Sequence, residues 1–323
     1  MNLLEYNEGP AFSQKHLLRL QDYSKHEILQ VLSLALRLKK MRQEGKIYRP
    51  LEGKTLAMIF TKSSTRTRVS FESGMFQLGG HALFLSSNDI QLGRGESIAD
   101  TAKVLSRMVD GIMIRTFAQS DIDDLAKYGS IPVINGLSDL LHPCQALADI
   151  MTIYEHKHTL NGLKLCYLGD GNNVANSLLI ICSKLGIDIA IGCPKGYLPN
   201  SDITASAYGN AAASGSEIII TQDANAAIKD ADAVYTDVWS SMGQAAPDEK
   251  KAALFLPYQV NEKLFSLAKP DAIFLHCLPA HRGEEVTAGV IDGPQSVVFD
   301  EAENRLHAQK AVMALLIGGL YEA

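Results

Sequence analysis

Ser63-Ser64-Thr65-Arg66-Thr67-Arg68 sets hydroxyls and guanidinium groups directly after an apolar run, Leu56-Ala57-Met58-Ile59-Phe60. The run, bounded by Gly53 and by Thr61-Lys62, reads as a buried strand. Thr67 to Leu78 reads as a helix stopped by Gly79-Gly80. A strand handing over to a helix N-terminus presents free backbone N–H groups and the positive end of the macrodipole, which together attract an anion. Arg66 adds a planar fork suited to phosphate, and Ser64, Thr65 and Thr67 add short donors. The stretch is not a Walker loop, for it has neither the spaced glycines nor Gly-Lys-Ser/Thr. A Ser/Thr cap beside exposed arginines would use the same residues, so this segment alone leaves both readings open.

The rest of the chain decides between them. His142-Pro143-Cys144-Gln145 precedes a helix, and His276-Cys277-Leu278-Pro279 ends the apolar strand Ala272-Ile273-Phe274-Leu275. Asp237-Val238-Trp239-Ser240-Ser241-Met242-Gly243 lies between them. Four separated motifs in this order resemble the aspartate/ornithine carbamoyltransferase family, on its ornithine side. The resemblance runs from the first motif to Glu303-Asn304-Arg305, nearly the whole chain.

Bulk properties narrow the classes. A chain of 323 residues suits two domains of about 150 residues each. A formal charge of −6 gives no general attraction to nucleic acid or anionic membranes, so anion binding must be local. No apolar run reaches the ~20 residues of a membrane-spanning helix. Met1 to Pro10 shows neither a signal pattern nor transit character, which makes the cytoplasm the expected location. The five cysteines (144, 166, 182, 193 and 277) are odd in number and form no Cys-x-x-Cys pair, which argues against a disulfide framework or zinc site. His156 and His158 are close in sequence but lack convincing ligand partners, so no metal and no cofactor is expected.

Ser24-Lys25-His26-Glu27 is a capping box that opens a helix to about Glu44. Strands are predicted at 55–60, 82–85, 111–114 and 131–134, with helices near 67–78, 97–109 and 121–128. A helix over about 143–157 can act as a bridge. A second series of strands follows at 163–168, 187–191, 216–220, 232–236 and 272–275, and a last helix at roughly 303–321. The Ala-rich stretch 205–213 reads as a surface helix. This alternation predicts an α/β protein with two parallel-sheet domains and helices on both faces. The candidate residues fall just beyond strand ends, where open α/β sheets gather ligands, so two such sheets facing each other would enclose one active site in an interdomain cleft. The periodicity does not locate the boundary. The resemblance implies a carbamoyl phosphate-binding domain over 1–143, with the C-terminal helix 305–323 returning to it, and an ornithine-binding domain over 144–304.

Taken one by one, the residues have ordinary alternatives. Arg115, after Gly111-Ile112-Met113-Ile114, could be a second guanidinium of the anion site or a surface arginine capping a strand. His142, held in the loop by Pro143, could donate to a polarised carbonyl or merely enter a helix. Asp237 could receive an ammonium or cap a turn. Gln91 looks like part of a surface turn. Gly169-Asp170-Gly171-Asn172-Asn173-Val174 follows a strand but departs from a dinucleotide fingerprint at its third glycine, and the next strand ends in Gly192-Cys193 rather than an acid.

The resemblance implies roles for these residues. Carbamoyl phosphate would be held by Ser64, Thr65, Arg66, Thr67, Arg115, His142, Gln145, Cys277, Leu278 and Arg305, with Gln91 supplied by the adjacent subunit. Asn173, Asp237, Ser241 and Met242 would hold L-ornithine. Arg115, His142 and Cys277 would serve catalysis, and Arg305 would complete the site on closure. The implied enzyme is a homotrimer, or a multiple of one, that transfers a carbamoyl group to the δ-amine of ornithine with no nucleic-acid or membrane partner. A nicotinamide dehydrogenase, a metabolite-binding relative without activity, and transfer to another amine such as putrescine or an acylated ornithine are the alternatives. A lost arginine or histidine in the anion site would mark the inactive relative, and none is missing.

Overall fold

A computed structural model describes residues 2–6, 8–240 and 249–319. Ser241 and Met242, expected to hold ornithine, lie outside the described residues. The chain divides into two compact units, Met1–Met151 with Glu303–Ala323, and Thr152–Ala302. The change of unit thus falls inside a helix, Pro143–Lys157, rather than at its start near 143.

In the first unit, β1 (Thr55–Phe60), β2 (His81–Ser86), β3 (Gly111–Arg115) and β4 (Val133–Leu137) form a wholly parallel sheet of order β2-β1-β3-β4. Helices α1 (Lys25–Gln43), α2 (Thr65–Gln77), α3 (Ile98–Leu105), α4 (Gln119–Tyr128) and α5 (Pro143–Lys157) intervene or follow. Every residue of β3 is buried, and all but the first of β1. Side chains of both pleat directions are therefore covered, as the unbroken apolar runs require. The capping box on α1 is complete: Ser24 Oγ accepts from Glu27 N at 3.2 Å and Glu27 Oε2 from Ser24 N at 2.8 Å.

The second unit holds β5 (Lys164–Leu168), β6 (Asp188–Gly192), β7 (Ile218–Thr221), β8 (Ala233–Thr236) and β9 (Ile273–Leu275), parallel in the order β7-β6-β5-β8-β9. Its helices are α6 (Asn173–Leu185), α7 (Ser201–Ser214), α8 (Ala224–Ile228), α9 (Glu249–Phe255), α10 (Glu262–Phe265) and α11 (Ala288–Ile291). The last helix, α12 (Val298–Leu316), begins in this unit and continues into the first. It starts five residues before the predicted 303, because its first turns mix exposed Phe299, Asp300 and Glu303 with a fully buried Glu301, a pattern that apolar periodicity does not register.

Each sheet reverses its winding once. In the first unit the chain leaves β1 for β2 on one side and takes up β3 on the other; in the second, β5 leads to β6 while β8 lies opposite. The ends of β1 and β3, and of β5 and β8, are therefore the switch points where loops part and leave a crevice.

Gly171, in the loop after β5, has no room for a side chain. A Cβ there would stand 2.3 Å from Pro199 N and 2.4 Å from Leu198 C, both backbone atoms. We expect Gly171→Ala to destabilise the protein by about 2–3 kcal/mol, as overpacking does where backbone must shift. A urea midpoint unchanged from the parent would contradict that packing.

Candidate active site

The first unit's switch point is cationic. Ser64 has extended backbone (φ −164°) and caps α2, its Oγ accepting from Thr67 N at 3.2 Å. The helix thus starts at Thr65 rather than the predicted Thr67, and Arg66 and Thr67 occupy its first turn. No acidic residue lies in that turn, so the positive end of the dipole is not offset locally. Arg115, the last residue of β3, is buried beside it, and its carbonyl accepts from Thr61 N at 2.9 Å. That bond ties the β1–α2 loop to the end of β3.

His142 and Gln145 come from the entry to α5, where the His142 carbonyl accepts from Gln145 N at 3.1 Å. Arg305 comes from α12, buried, with Nη1 donating to Gln145 Oε1 at 2.5 Å and Nη2 to Thr67 Oγ1 at 3.3 Å. Both partners of Arg305 thus belong to the first unit. Gln145 in turn donates to Asp149 Oδ1 at 2.8 Å, so both ends of its amide are engaged in orienting Arg305. With the Gln309 amide turned so that its oxygen faces Arg305, that oxygen accepts from Nη2 at 2.9 Å. Burial, and then the charges of Arg305, Arg115 and Arg66, hold the His142 imidazole well below the ordinary histidine range. The ring is neutral at physiological pH, a donor that does not compete for an anion's charge.

The second unit's switch point is acidic. Asp237, directly after β8, is buried and accepts from Asn172 Nδ2 at 2.8 Å, from Val238 N at 2.9 Å and from the Cys277 thiol at 3.1 Å. Asn172 also caps α6, its Oδ1 accepting from Val174 N at 2.9 Å and Ala175 N at 3.3 Å. One amide therefore fixes both the helix start and the carboxylate. Asn173, the residue expected to touch ornithine, is half-buried one position on, with its carbonyl accepting from Ser177 Oγ at 2.8 Å.

Cys277 and Leu278 follow β9 in a turn with a cis Leu278–Pro279 bond and Leu278 at φ 57°. His276 organises this turn. Its backbone N–H donates to Glu301 Oε2 at 2.8 Å, its Nδ1 accepts from Leu278 N at 2.8 Å, and its Nε2 lies 3.2 Å from Glu285 Oε1. Asp237, His276 and Cys277 do bring three ligand-type atoms within 4.8 Å of one another. Because both His276 nitrogens are already engaged, the cluster is better described as a hydrogen-bonded turn than as a metal site.

Ser64, Arg66, Thr67, Arg115, His142, Gln145 and Arg305 all belong to the first unit's cationic end, and Asn173, Asp237, Cys277 and Leu278 to the second unit's acidic end. Thr65 is exposed on the first turn of α2. Gln91 is exposed on a 3₁₀ turn, Gln91–Arg94, and makes no side-chain contact with the cationic set among the described residues. Sequence reasoning gave no role to Asn172 or His276, though both stand in its motifs, and missed Glu285, Glu301 and Gln309. Asn172 carried a signal, as an Asn immediately before a helix, whereas the buried carboxylates carried none.

Two parallel-sheet α/β units, one with guanidinium groups around a neutral imidazole and the other with a carboxylate and a thiol, define an enzyme class that brings an anionic donor to an amine acceptor. Residues 15–155 match "Aspartate/ornithine carbamoyltransferase, carbamoyl-P binding domain", and residues 161–316 match "Aspartate/ornithine carbamoyltransferase, Asp/Orn binding domain". The chain belongs to the aspartate/ornithine carbamoyltransferase family. It is 60% identical over 306 residues to the ornithine carbamoyltransferase of Pyrococcus abyssi, covering 95% of this chain and 96% of that protein. It is 59% identical to the anabolic ornithine carbamoyltransferase of Pyrococcus furiosus, covering 96% and 98%. The solved Pyrococcus furiosus structure superposes with a TM-score of 0.94 at 58% identity, over 97% of this chain and 100% of that one. The Thermus thermophilus enzyme gives 0.85 at 42% identity, over 94% and 99%.

Asp170, in the loop after β5, yields a pH prediction. Burial pushes its carboxyl up to about 6; Lys251, 3.8 Å away, pulls it back and Asp237 pushes it further up. The folded protein therefore binds this proton more tightly than the unfolded chain. Asp170 opposes folding above pH 6, and that cost fades as pH falls toward 4. Asp170→Asn should raise the urea midpoint at pH 8 and lose most of that gain by pH 4. A variant less stable than the parent at pH 8 would show that ionised Asp170 is instead a net anchor.

Proposed function

We propose that this chain transfers the carbamoyl group of carbamoyl phosphate to the δ-amine of L-ornithine, giving L-citrulline and phosphate. One observation carries the reading: Arg66, Arg115 and Arg305 gather about a buried, neutral His142 at the end of a parallel sheet. A phosphorylated carbonyl donor needs both features, cations for the leaving phosphate and an uncharged donor for the carbonyl oxygen. The family and the names of its relatives specify the acceptor.

In this mechanism the amine nitrogen forms its bond to the carbamoyl carbon as the carbon–oxygen bond to phosphate breaks. Arg115, His142 and Thr67 stabilise charge growing on the carbonyl oxygen. Ser64, Thr65, Arg66 and Arg115 neutralise the departing phosphate, which leaves with the electron pair and takes the amine proton. Asp237 receives the α-ammonium, and Cys277, donating to that carboxylate, steers the δ-amine. The reading requires the two units' sites to face the same substrates, so that catalysis is largely positioning. No covalent enzyme intermediate is needed.

Homotrimeric assembly, with Gln91 reaching a neighbour's anion site, belongs to the same proposal. Val69 on α2 and Leu83 and Phe84 on β2 are exposed apolar residues next to this site, which favours a protein neighbour there. Cytoplasmic residence is supported by the cysteines, none of which forms a disulfide.

Citrulline formation measured across ornithine, acetylornithine, putrescine and aspartate tests the acceptor, with ornithine expected to dominate. Arg66→Ala should cost about 3 kcal/mol of transition-state stabilisation, roughly 100-fold in kcat/KM for carbamoyl phosphate. Mixing Arg66→Ala with Gln91→Ala subunits, each nearly inactive alone, should restore part of the activity. No rescue after verified exchange would mean that each chain builds its own site. Cys277→Ser should weaken ornithine use and leave measurable turnover, and rapid-quench mass spectrometry should find no carbamoyl adduct on Cys277. A kinetically competent adduct would sink direct transfer.

A further inference from the structure

We propose a second anion site in the first unit, for a phosphorylated molecule with an aromatic portion, at the C-terminal ends of α1 and α2. A cavity of about 270 Å³ opens there, and its lining includes Arg42, Lys46, Arg49, Lys310, Tyr48 and Phe76. Among the described residues, no acidic one lines it. Gln77, the last residue of α2, also lines it, eleven residues beyond Arg66 and so about 16 Å along the helix from it.

The decisive group is Lys310. It projects from α12, is 4% exposed, and has the Gln77 amide oxygen as its partner at 3.1 Å. A buried ammonium bonded to a neutral amide keeps much of its desolvation cost. The surroundings add to that cost. Burial and then Arg42 depress the Lys310 ammonium to about 8, while burial and then Lys310, Lys39 and Arg42 depress His307, one turn earlier, to about 3. Lys46 has a carboxylate, Glu44, at 2.7 Å; Arg42 and Arg49 make no salt bridge among the described residues. The cavity thus concentrates positive charge that the protein itself does not neutralise, and a bound anion would.

Size and lining specify the ligand further. Roughly nine waters would fill this volume at about 30 Å³ each, so it holds a phosphate with a single ring. Tyr48 is half-buried and Phe76 largely exposed at the rim, where they offer ring faces, while Arg42 and Arg49 supply planar forks for phosphate oxygens. The Lys310 ammonium would complete the set from the floor.

The experiment uses the full-length chain carrying Arg66→Ala, which disables the other anion site, titrated with phenyl phosphate by isothermal calorimetry. We expect saturable binding of one molecule per chain, with inorganic phosphate binding more weakly. Adding Arg42→Ala or Lys310→Met should raise Kd by about ten-fold or more. Lys310→Met keeps the volume and removes a buried charge, so it should fold; melting curves verify this, and the exposed Arg42 decides the matter if it does not. Absence of saturable binding, or a Kd that either folded variant leaves unmoved, overturns the proposal.

Discussion

The first unit is organised around the cost of gathering guanidinium groups where water is scarce. Like charges repel more strongly as the dielectric falls, and each loses hydration on burial. The structure meets this cost with neutral dipoles. Arg305 is held by the Gln145 amide, the Thr67 hydroxyl and Gln309, so its charge is oriented without being cancelled. Full neutralisation by a carboxylate would leave little field for a substrate. Burial first, and then the same field, keeps His142 uncharged, so the arginines reinforce what the site's dryness already imposes on the imidazole.

The second unit solves the opposite problem. A buried carboxylate must be satisfied well enough to fold and, for the role proposed for Asp237, must remain able to accept an ammonium. Asp237 takes neutral donors, from Asn172, the Val238 backbone and the Cys277 thiol, and each leaves its charge intact. Both units therefore hold a functional charge by dipoles at the switch point of a parallel sheet. In each, a short cap fixes the nearby helix: Ser64 for α2 and Asn172 for α6.

Much of this was legible in the sequence because it rests on local signals. Among the described residues the apolar runs locate each of the nine strands to within a few residues; most are covered on both faces, and even the more exposed β2 and β7 keep a short apolar stretch. Residues beyond strand ends were found because a change from apolar to polar marks the place where ligands gather. Longer-range polar packing was not legible. Along α12, Glu301, Asn304, Arg305, His307, Gln309 and Lys310 are all buried, although a helix carrying them reads as having a solvated face. Arg305 was identified by resemblance, and nothing local announced Glu301. Asn173 was likewise named by resemblance, while the bond of its neighbour Asn172 to Asp237 is a tertiary contact that no local pattern registers.

His276 shows what such hidden residues contribute. A lone cysteine at a strand end invites a nucleophilic reading, and a neighbouring histidine strengthens it. The geometry assigns the histidine elsewhere. Nδ1 accepts from Leu278 N and Nε2 faces Glu285, so neither nitrogen is available as a base toward the thiol. The thiol donates to Asp237 instead, and Glu301 fixes the backbone entering the turn through His276 N while also accepting from Tyr235 on β8. A histidine that holds a loop and a thiol that adjusts a carboxylate suit a reaction in which the substrate amine is the nucleophile. Catalysis of that kind depends on where groups are held, which is why so many of the buried polar residues near Cys277 touch other protein groups.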